Sequence, residues 1–218
     1  MQKLQSPHRR FILGGLGAAL LLGFASASLA ADEEAQQGAT PEPAFAAGEM
    51  ALGAEHAPVT IIEYFSLTCG YCANFHRNAF EELKAAYIDT AKVRFIAREF
   101  PSSELALKAA MLARCSGEER YFAFIQELYK QFDYWTEADD PLAALAQIAA
   151  LGGLPRERFD ACLVNEALEE RVLQSYMEGV REHEVEYTPT FIINGKAHVG
   201  DMPFEKFREI LEPLLSGA

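Results

Sequence analysis

The sequence predicts an α/β core interrupted by a block of helices, and three observations predict it. Ala57 to Ser66 is a nearly continuous β-branched and aromatic run with Glu63 as its only charge, as in a strand buried on both faces. Near the other end, Thr190-Phe191-Ile192-Ile193 and Lys196-Ala197-His198-Val199 flank Asn194-Gly195, the dipeptide of a tight hairpin turn. Between these segments, from Pro101 to about His183, helical periodicity prevails and no strand pattern occurs.

The remaining elements follow in order. From Cys72, apolar residues recur at Phe75, Ala79, Leu83 and Tyr87, spacings of three and four that mark one face of a helix. Lys92 to Phe100 sets Val93, Phe95 and Ala97 against Arg94, Ile96 and Arg98, a second strand by its period of two. In the helical block, Ser102 or Ser103 is an N-cap, Gly117 a stop, and Asp140-Pro141 a cap and first turn. Gly152-Gly153 and Pro155 end one helix and start the next. Pro203 to Leu215 closes the chain as an amphipathic helix with Phe204, Phe207, Ile210, Leu211 and Leu214 on one face. The aromatic stripe from Tyr121 to Phe132 is expected in the helical core, with Trp135, near a helix end, partly exposed.

The first thirty residues predict an export signal: Arg9-Arg10, an apolar run from Phe11 to Phe24, and small residues ending at Ala30. That run is shorter than the ~20 residues a bilayer span requires, so no membrane insertion is expected once the signal is cleaved. The paired arginines also resemble a twin-arginine signal, which leaves the general secretory and twin-arginine routes both open. Residues 31–48, rich in Ala, Gln, Glu, Gly and Pro, read as a poorly ordered leader. Residues 49–218 then form one domain carrying a helical insertion over about 102–183.

With 218 residues, half of them hydrophobic, the chain can bury the core of a single domain. Its formal charge is −13, and loss of Lys3, Arg9 and Arg10 with the signal takes it to −13 − 3 = −16. Such a protein repels phosphate backbones, which excludes nucleic acid as an expected partner. Export implies a compartment where disulfides persist, so none of the four cysteines is taken to be a resting thiol.

Cys69-Gly70-Tyr71-Cys72 stands where the buried strand gives way to a helix. The first sulfur therefore lies at a helix N-terminus, where unsatisfied N–H groups and the helix dipole favour a thiolate. A stabilised thiolate leaves easily, so a Cys69–Cys72 disulfide would oxidise other thiols, with Cys69 attacking and Cys72 resolving. The same motif is half of a zinc site, but Cys115 and Cys162 stand alone and His76 has no neighbouring ligand. An inert structural disulfide is the other competing reading.

Three motifs together resemble the DsbA-like periplasmic thiol:disulfide oxidoreductases of the thioredoxin superfamily. They are Ala57-Pro58-Val59-Thr60, Glu63-Tyr64-Phe65-Ser66 running into Cys69-Gly70-Tyr71-Cys72, and Thr188-Pro189-Thr190-Phe191. The resemblance covers about Met50 to Leu215 and implies a thioredoxin fold with an inserted all-helical lobe. It implies that Glu63 is the buried acid that exchanges a proton with Cys72, a role that a carboxylate buried in a strand can fill near neutrality. It implies that Pro189 is a cis-proline facing the disulfide, and that Thr188 offers backbone hydrogen bonds to a substrate peptide beside Gly70 and Tyr71. A further implication, from alphaproteobacterial members, is a non-catalytic Cys115–Cys162 disulfide. From the residues alone, two separate buried thiols remain open.

The expected function is disulfide donation to newly exported, cysteine-containing proteins, with re-oxidation by a DsbB-like membrane partner and no organic cofactor or metal. Two departures matter. Gly70-Tyr71 replaces the proline and histidine of the strongly oxidising members, and a tyrosine brings no positive charge to the thiolate, so a weaker oxidant is expected. Threonine before the proline is similar to disulfide isomerases, which makes isomerase or reductase the nearest alternative. A non-enzymatic copper(I)-handling protein is the third reading. His76, four residues after Cys72, is expected as a solvated helix residue, with tuning of the thiolate as its alternative role.

Overall fold

The computed structural model describes residues 45–217. The expected signal over 1–30 and the leader up to residue 44 lie outside the described residues. Five strands form one mixed sheet in the order β1-β3-β2-β4-β5. Strand β2 (Val59–Phe65) lies at its centre, parallel to β3 (Val93–Glu99) and antiparallel to β4 (Thr190–Ile193). β5 (Lys196–Val199) closes the hairpin with β4, while β1 (Met50–Leu52) pairs with the outer edge of β3.

The hairpin turn works as its dipeptide requires, with Asn194 at φ 44° and Gly195 at φ 84°. Asn194 Oδ1 also accepts from the Thr60 N–H at 2.9 Å, which fixes the hairpin to the start of β2. Both faces of the sheet are covered, so the expected alternation in β3 is incomplete. Ile96, placed on the polar side by periodicity, is buried beside Phe95 and Ala97 because helix α8 (Glu166–His183) packs against that face.

Between β2 and β3 the chain forms α1 (Gly70–Asn78), α2 (Phe80–Leu83) and a wider π turn over Lys84–Ile88. The stripe Phe75, Ala79, Leu83 and Tyr87 is buried throughout, although one continuous helix becomes three pieces. Phe75 meets Phe80, Phe191 and Phe207 at ring-centroid distances of 6.0, 4.8 and 5.4 Å. That cluster joins α1 to β4 and to the closing helix α9 (Phe204–Ser216).

Six helices separate β3 from β4. α3 (Glu104–Cys115) begins at Ser103, whose Oγ accepts from the Ala106 N–H at 3.1 Å. α4 (Tyr121–Lys130) and α5 (Phe132–Thr136) follow, then α6 (Pro141–Leu151), capped by Asp140, and α7 (Arg156–Leu163), and α8 ends the block. Trp135 departs from expectation: it is wholly buried, and its indole N–H donates to Leu128 O at 2.9 Å. Burying a large ring with its single donor satisfied stabilises the lobe more than exposing it would.

Cys115 and Cys162 form a disulfide between the end of α3 and α7, with Cα atoms 6.3 Å apart and a sequence separation of 47. Replacing both by alanine is expected to lower unfolding free energy by roughly 3–4 kcal/mol on the chain-entropy account. Urea denaturation, with the other cysteine pair held in one redox state, measures the loss.

A buried ion pair fixes the chain entry. Glu99 accepts from Arg114 Nε at 2.6 Å and from the Tyr121 hydroxyl at 2.6 Å. Arg114 Nη1 donates to Ala46 O at 2.6 Å and Gly48 O at 3.1 Å, and Arg171 Nε donates to Ala47 O at 2.9 Å. Residues 45–48, assigned to the leader by composition, are therefore tied to α3 and α8, because the buried Arg114 guanidinium needs the carbonyls they supply and the partly buried Arg171 adds a third bond.

Candidate active site

β2 carries Glu63 into the core, and its carboxylate is fully buried. After Phe65 the chain turns at Ser66, whose carbonyl accepts from the Cys69 N–H at 3.0 Å, and α1 starts with Cys69 as its N-cap. Cys69 is half-buried, Cys72 is fully buried one turn further on, and both are thiols in this structure. The bond between Thr188 and Pro189 is cis. It brings the Thr188 carbonyl within 3.2 Å of Cys69 Sγ, whose S–H donates to it.

The two sulfurs differ in their electrostatics. The Cys72 S–H, placed to donate to it, pulls Cys69 down to about 6 from its ordinary 9.0; the Thr188 side chain and the first backbone N–H groups of α1 add to the pull, and burial opposes it. Burial pushes Cys72 well up, helped by its hydrogen bond to Cys69 and by the nearby Glu63 charge. One cysteine is thus an accessible nucleophile and leaving group. The other holds its proton until a partner takes it.

Tyr71 is 69% exposed beside Cys69, Tyr187 is 66% exposed just before Thr188, and a Cβ built on Gly70 would meet nothing within 4 Å. Tyr71 and Tyr187 thus lie within two residues of the Cys69–Thr188 contact in sequence, and both are exposed. Among the described residues no cluster of three or more His, Cys, Asp or Glu side chains is arranged to hold a metal ion, and no helix is long and apolar enough to cross a membrane.

His76 is not the solvated residue that its polarity predicts. It is 4% exposed, and its Nε2 lies 3.0 and 3.2 Å from the two Glu63 oxygens. Its ring stacks on Tyr129 of α4 at 4.5 Å and lies 4.9 Å from Phe80. The Tyr129 hydroxyl donates to Ser66 O at 3.2 Å, and burial raises its own ionisation well above the usual phenol range. Tyr129 was legible only as one member of the core stripe. His76 carried a signal that was available: at four residues from Cys72, it lies on the same buried helix face.

Fold and site together define a thioredoxin-type domain with an asymmetric cysteine pair at the start of its first helix. The family whose model matches residues 46–213 is described as thioredoxin. The crystal structure of Wolbachia pipientis alpha-DsbA1 superposes with a TM-score of 0.73 at 32% identity, covering 78% of this chain and 92% of that one. Oxidised BdbD of Bacillus subtilis shares the fold, with a TM-score of 0.67 at 19% identity over 81% of this chain and 97% of that one. A Rickettsia felis protein, provisionally named a protein-disulfide oxidoreductase, is 36% identical over 148 residues, which are 67% of this chain and 53% of that protein. The chain spans about half the length of the curated relatives it matches. It belongs to the thioredoxin family, in its DsbA-like branch.

Proposed function

We propose that the protein is a periplasmic thiol:disulfide oxidoreductase that donates the Cys69–Cys72 disulfide to newly exported, cysteine-containing proteins. The observation that carries this reading is the asymmetry of the pair: Cys69 is half-buried and held at about 6, while Cys72 is fully buried and pushed up. A low-pKa leaving thiol makes its disulfide an oxidant.

In the donating direction, a substrate thiolate attacks Cys69 Sγ. The Cys69–Cys72 bond breaks, a Cys69–substrate disulfide forms, and Cys72 leaves as a thiolate that takes a proton from Glu63. A second substrate thiolate then attacks the substrate sulfur of that mixed disulfide. The substrate gains a disulfide, Cys69 leaves as a thiolate, and the protein ends as the dithiol. The Thr188 backbone would hold the substrate segment as an added extended strand, with Gly70 and Tyr71 beside it. A DsbB-like membrane oxidase would restore the disulfide, and the export signal expected over residues 1–30 places the protein in the periplasm on this reading.

Threonine at 188 favours one second reading, a disulfide isomerase kept reduced in the cell. Equilibration of the cysteine pair with glutathione, with Cys115 and Cys162 replaced to leave one redox centre, tests the proposal. A potential between about −120 and −180 mV supports an oxidase or isomerase, and a value near −270 mV overturns disulfide donation. The resting redox state of Cys69 in cells then separates oxidase from isomerase.

A further inference from the structure

Glu63 does not stand alone in the core. Gln126 of α4 places its amide nitrogen 3.0 Å from His76 Nδ1. An amide nitrogen only donates, so Nδ1 accepts and Nε2 carries the ring proton, which it donates to the Glu63 carboxylate. Gln126 and His76 line a groove of about 500 Å³ beside α1 and α4, walled further by Arg77, Glu81, Glu127 and Lys130. Neither Cys69, Tyr71 nor Thr188 lines that groove.

We propose that His76 is the positioning residue for Glu63 and its proton link to solvent, so that the proton exchanged with Cys72 passes through the Glu63–His76 pair to the groove at Gln126. The inference rests on the disulfide-exchange reading and adds a path to it. The substrate covers the Cys69–Thr188 surface during the mixed disulfide, the stage at which Cys72 gains or loses its proton. A second exit lets that proton move while the first is covered.

The balance is simple. When Cys72 attacks Cys69 of a mixed disulfide, its S–H bond breaks, the proton enters the pair, the Cys69–Cys72 bond forms, and the leaving thiolate departs. In the donating direction the pair returns the proton to the Cys72 thiolate, and the groove refills the pair through Nδ1. A proton on Nδ1 displaces the amide nitrogen of Gln126, and rotation of that amide presents its oxygen instead.

Among the described residues, ionisable groups stand on each element that borders the ring or the groove. Cys72 lies on the same helix, Glu63 on β2, and Tyr129 with Glu127 and Lys130 on α4; Glu81 comes from α2, and Arg77 is drawn to Asp133 of α5 at 3.7 Å.

The test follows the second step of oxidation by glutathione disulfide, in which Cys72 displaces glutathione from Cys69, by acid quench and mass analysis between pH 4 and 9. His76→Gln retains an amide donor for Glu63 but neither takes up nor releases a proton between pH 4 and 9. It is expected to leave the first step, attack by Cys69, unchanged. The second step should slow by about tenfold or more and lose one ionisation from its pH profile. Glu63→Gln should lose the same ionisation, with nothing further lost in the double variant. A folded His76→Gln protein with the wild-type rate and profile would overturn the proton link.

The wild-type protein supplies an independent check through ¹⁵N spectra of the His76 ring. The expected result is an Nε2–H tautomer whose titration midpoint differs between dithiol and disulfide forms. An identical midpoint in both forms overturns the inference even if the variant does not fold. Failure of wild-type protein to form Cys69–Cys72 with glutathione disulfide would instead sink the oxidoreductase reading itself.

Discussion

Cys72→Ser protein is expected to accumulate a covalent mixed disulfide on Cys69 with a single-thiol partner such as glutathione, which has no second thiol of its own to reverse the exchange. Release should slow by at least about a thousandfold, because in the wild type Cys72, a neighbouring thiol in the same helical turn, acts at an effective molarity of ~10⁵ M or more. Non-reducing gels and intact mass measure the trapped adduct, and adducts on Cys72 in a Cys69→Ser control should be absent because Cys72 is fully buried.

The same variants expose what holds the thiolate. Absorbance of the wild-type thiolate should titrate with a midpoint near 6. The leading cause is the hydrogen bond from Cys72, so Cys72→Ala should shift the midpoint upward, and Cys72→Ser, which keeps an O–H donor, should shift it less. The sign for stability follows from the depressed value. Ionised Cys69 stabilises the folded dithiol form fully above 9.0, progressively less as pH falls toward 6, and not at all below. Urea unfolding of the reduced protein against Cys69→Ser should therefore show a difference at pH 8 that is gone at pH 5.

Arg114→Ala should produce a large loss of stability. It strands the Glu99 carboxylate, which is 1% exposed, and removes the donor that binds Ala46 and Gly48. Breaking one partner of a buried pair typically costs about 3–5 kcal/mol, whereas replacing both by apolar residues recovers most of it. Glu99→Leu with Arg114→Met should accordingly be more stable than Arg114→Ala in urea denaturation. If both variants lose the same amount, the pair's value lies in packing and not in charge.

Legibility in the sequence followed the range of the interactions involved. β2 was visible from its apolar run, the start of α3 from Ser103, that of α6 from Asp140-Pro141, and the hairpin from Asn194-Gly195, because each is dictated within a few residues. Cys69 and Cys72 were visible for the same reason, and Glu63 and Thr188-Pro189 through the family resemblance. β1 escaped notice because three residues cannot show a period, and its pairing partner Phe95–Ala97 lies more than forty positions away. His76 was misplaced because what buries it is a Tyr129 ring and a Gln126 amide contributed by a helix fifty residues on. The four-residue spacing from Cys72 marks the helix face, but not the partners that cover it.

That long-range contact makes the two parts of the domain inseparable in function. Tyr129 and Gln126 belong to the inserted helices, yet one carries a hydrogen bond to the turn before Cys69 and the other touches the histidine behind Cys72. A trimmed sheet with α3 to α8 replaced by a short loop would keep both cysteines and Glu63 but open the floor beneath them to water. Transplanting the cysteine motif into another scaffold would import the sulfurs without that floor. A helical lobe swapped in from a relative must therefore bring a matching aromatic and amide to α4 to keep these contacts.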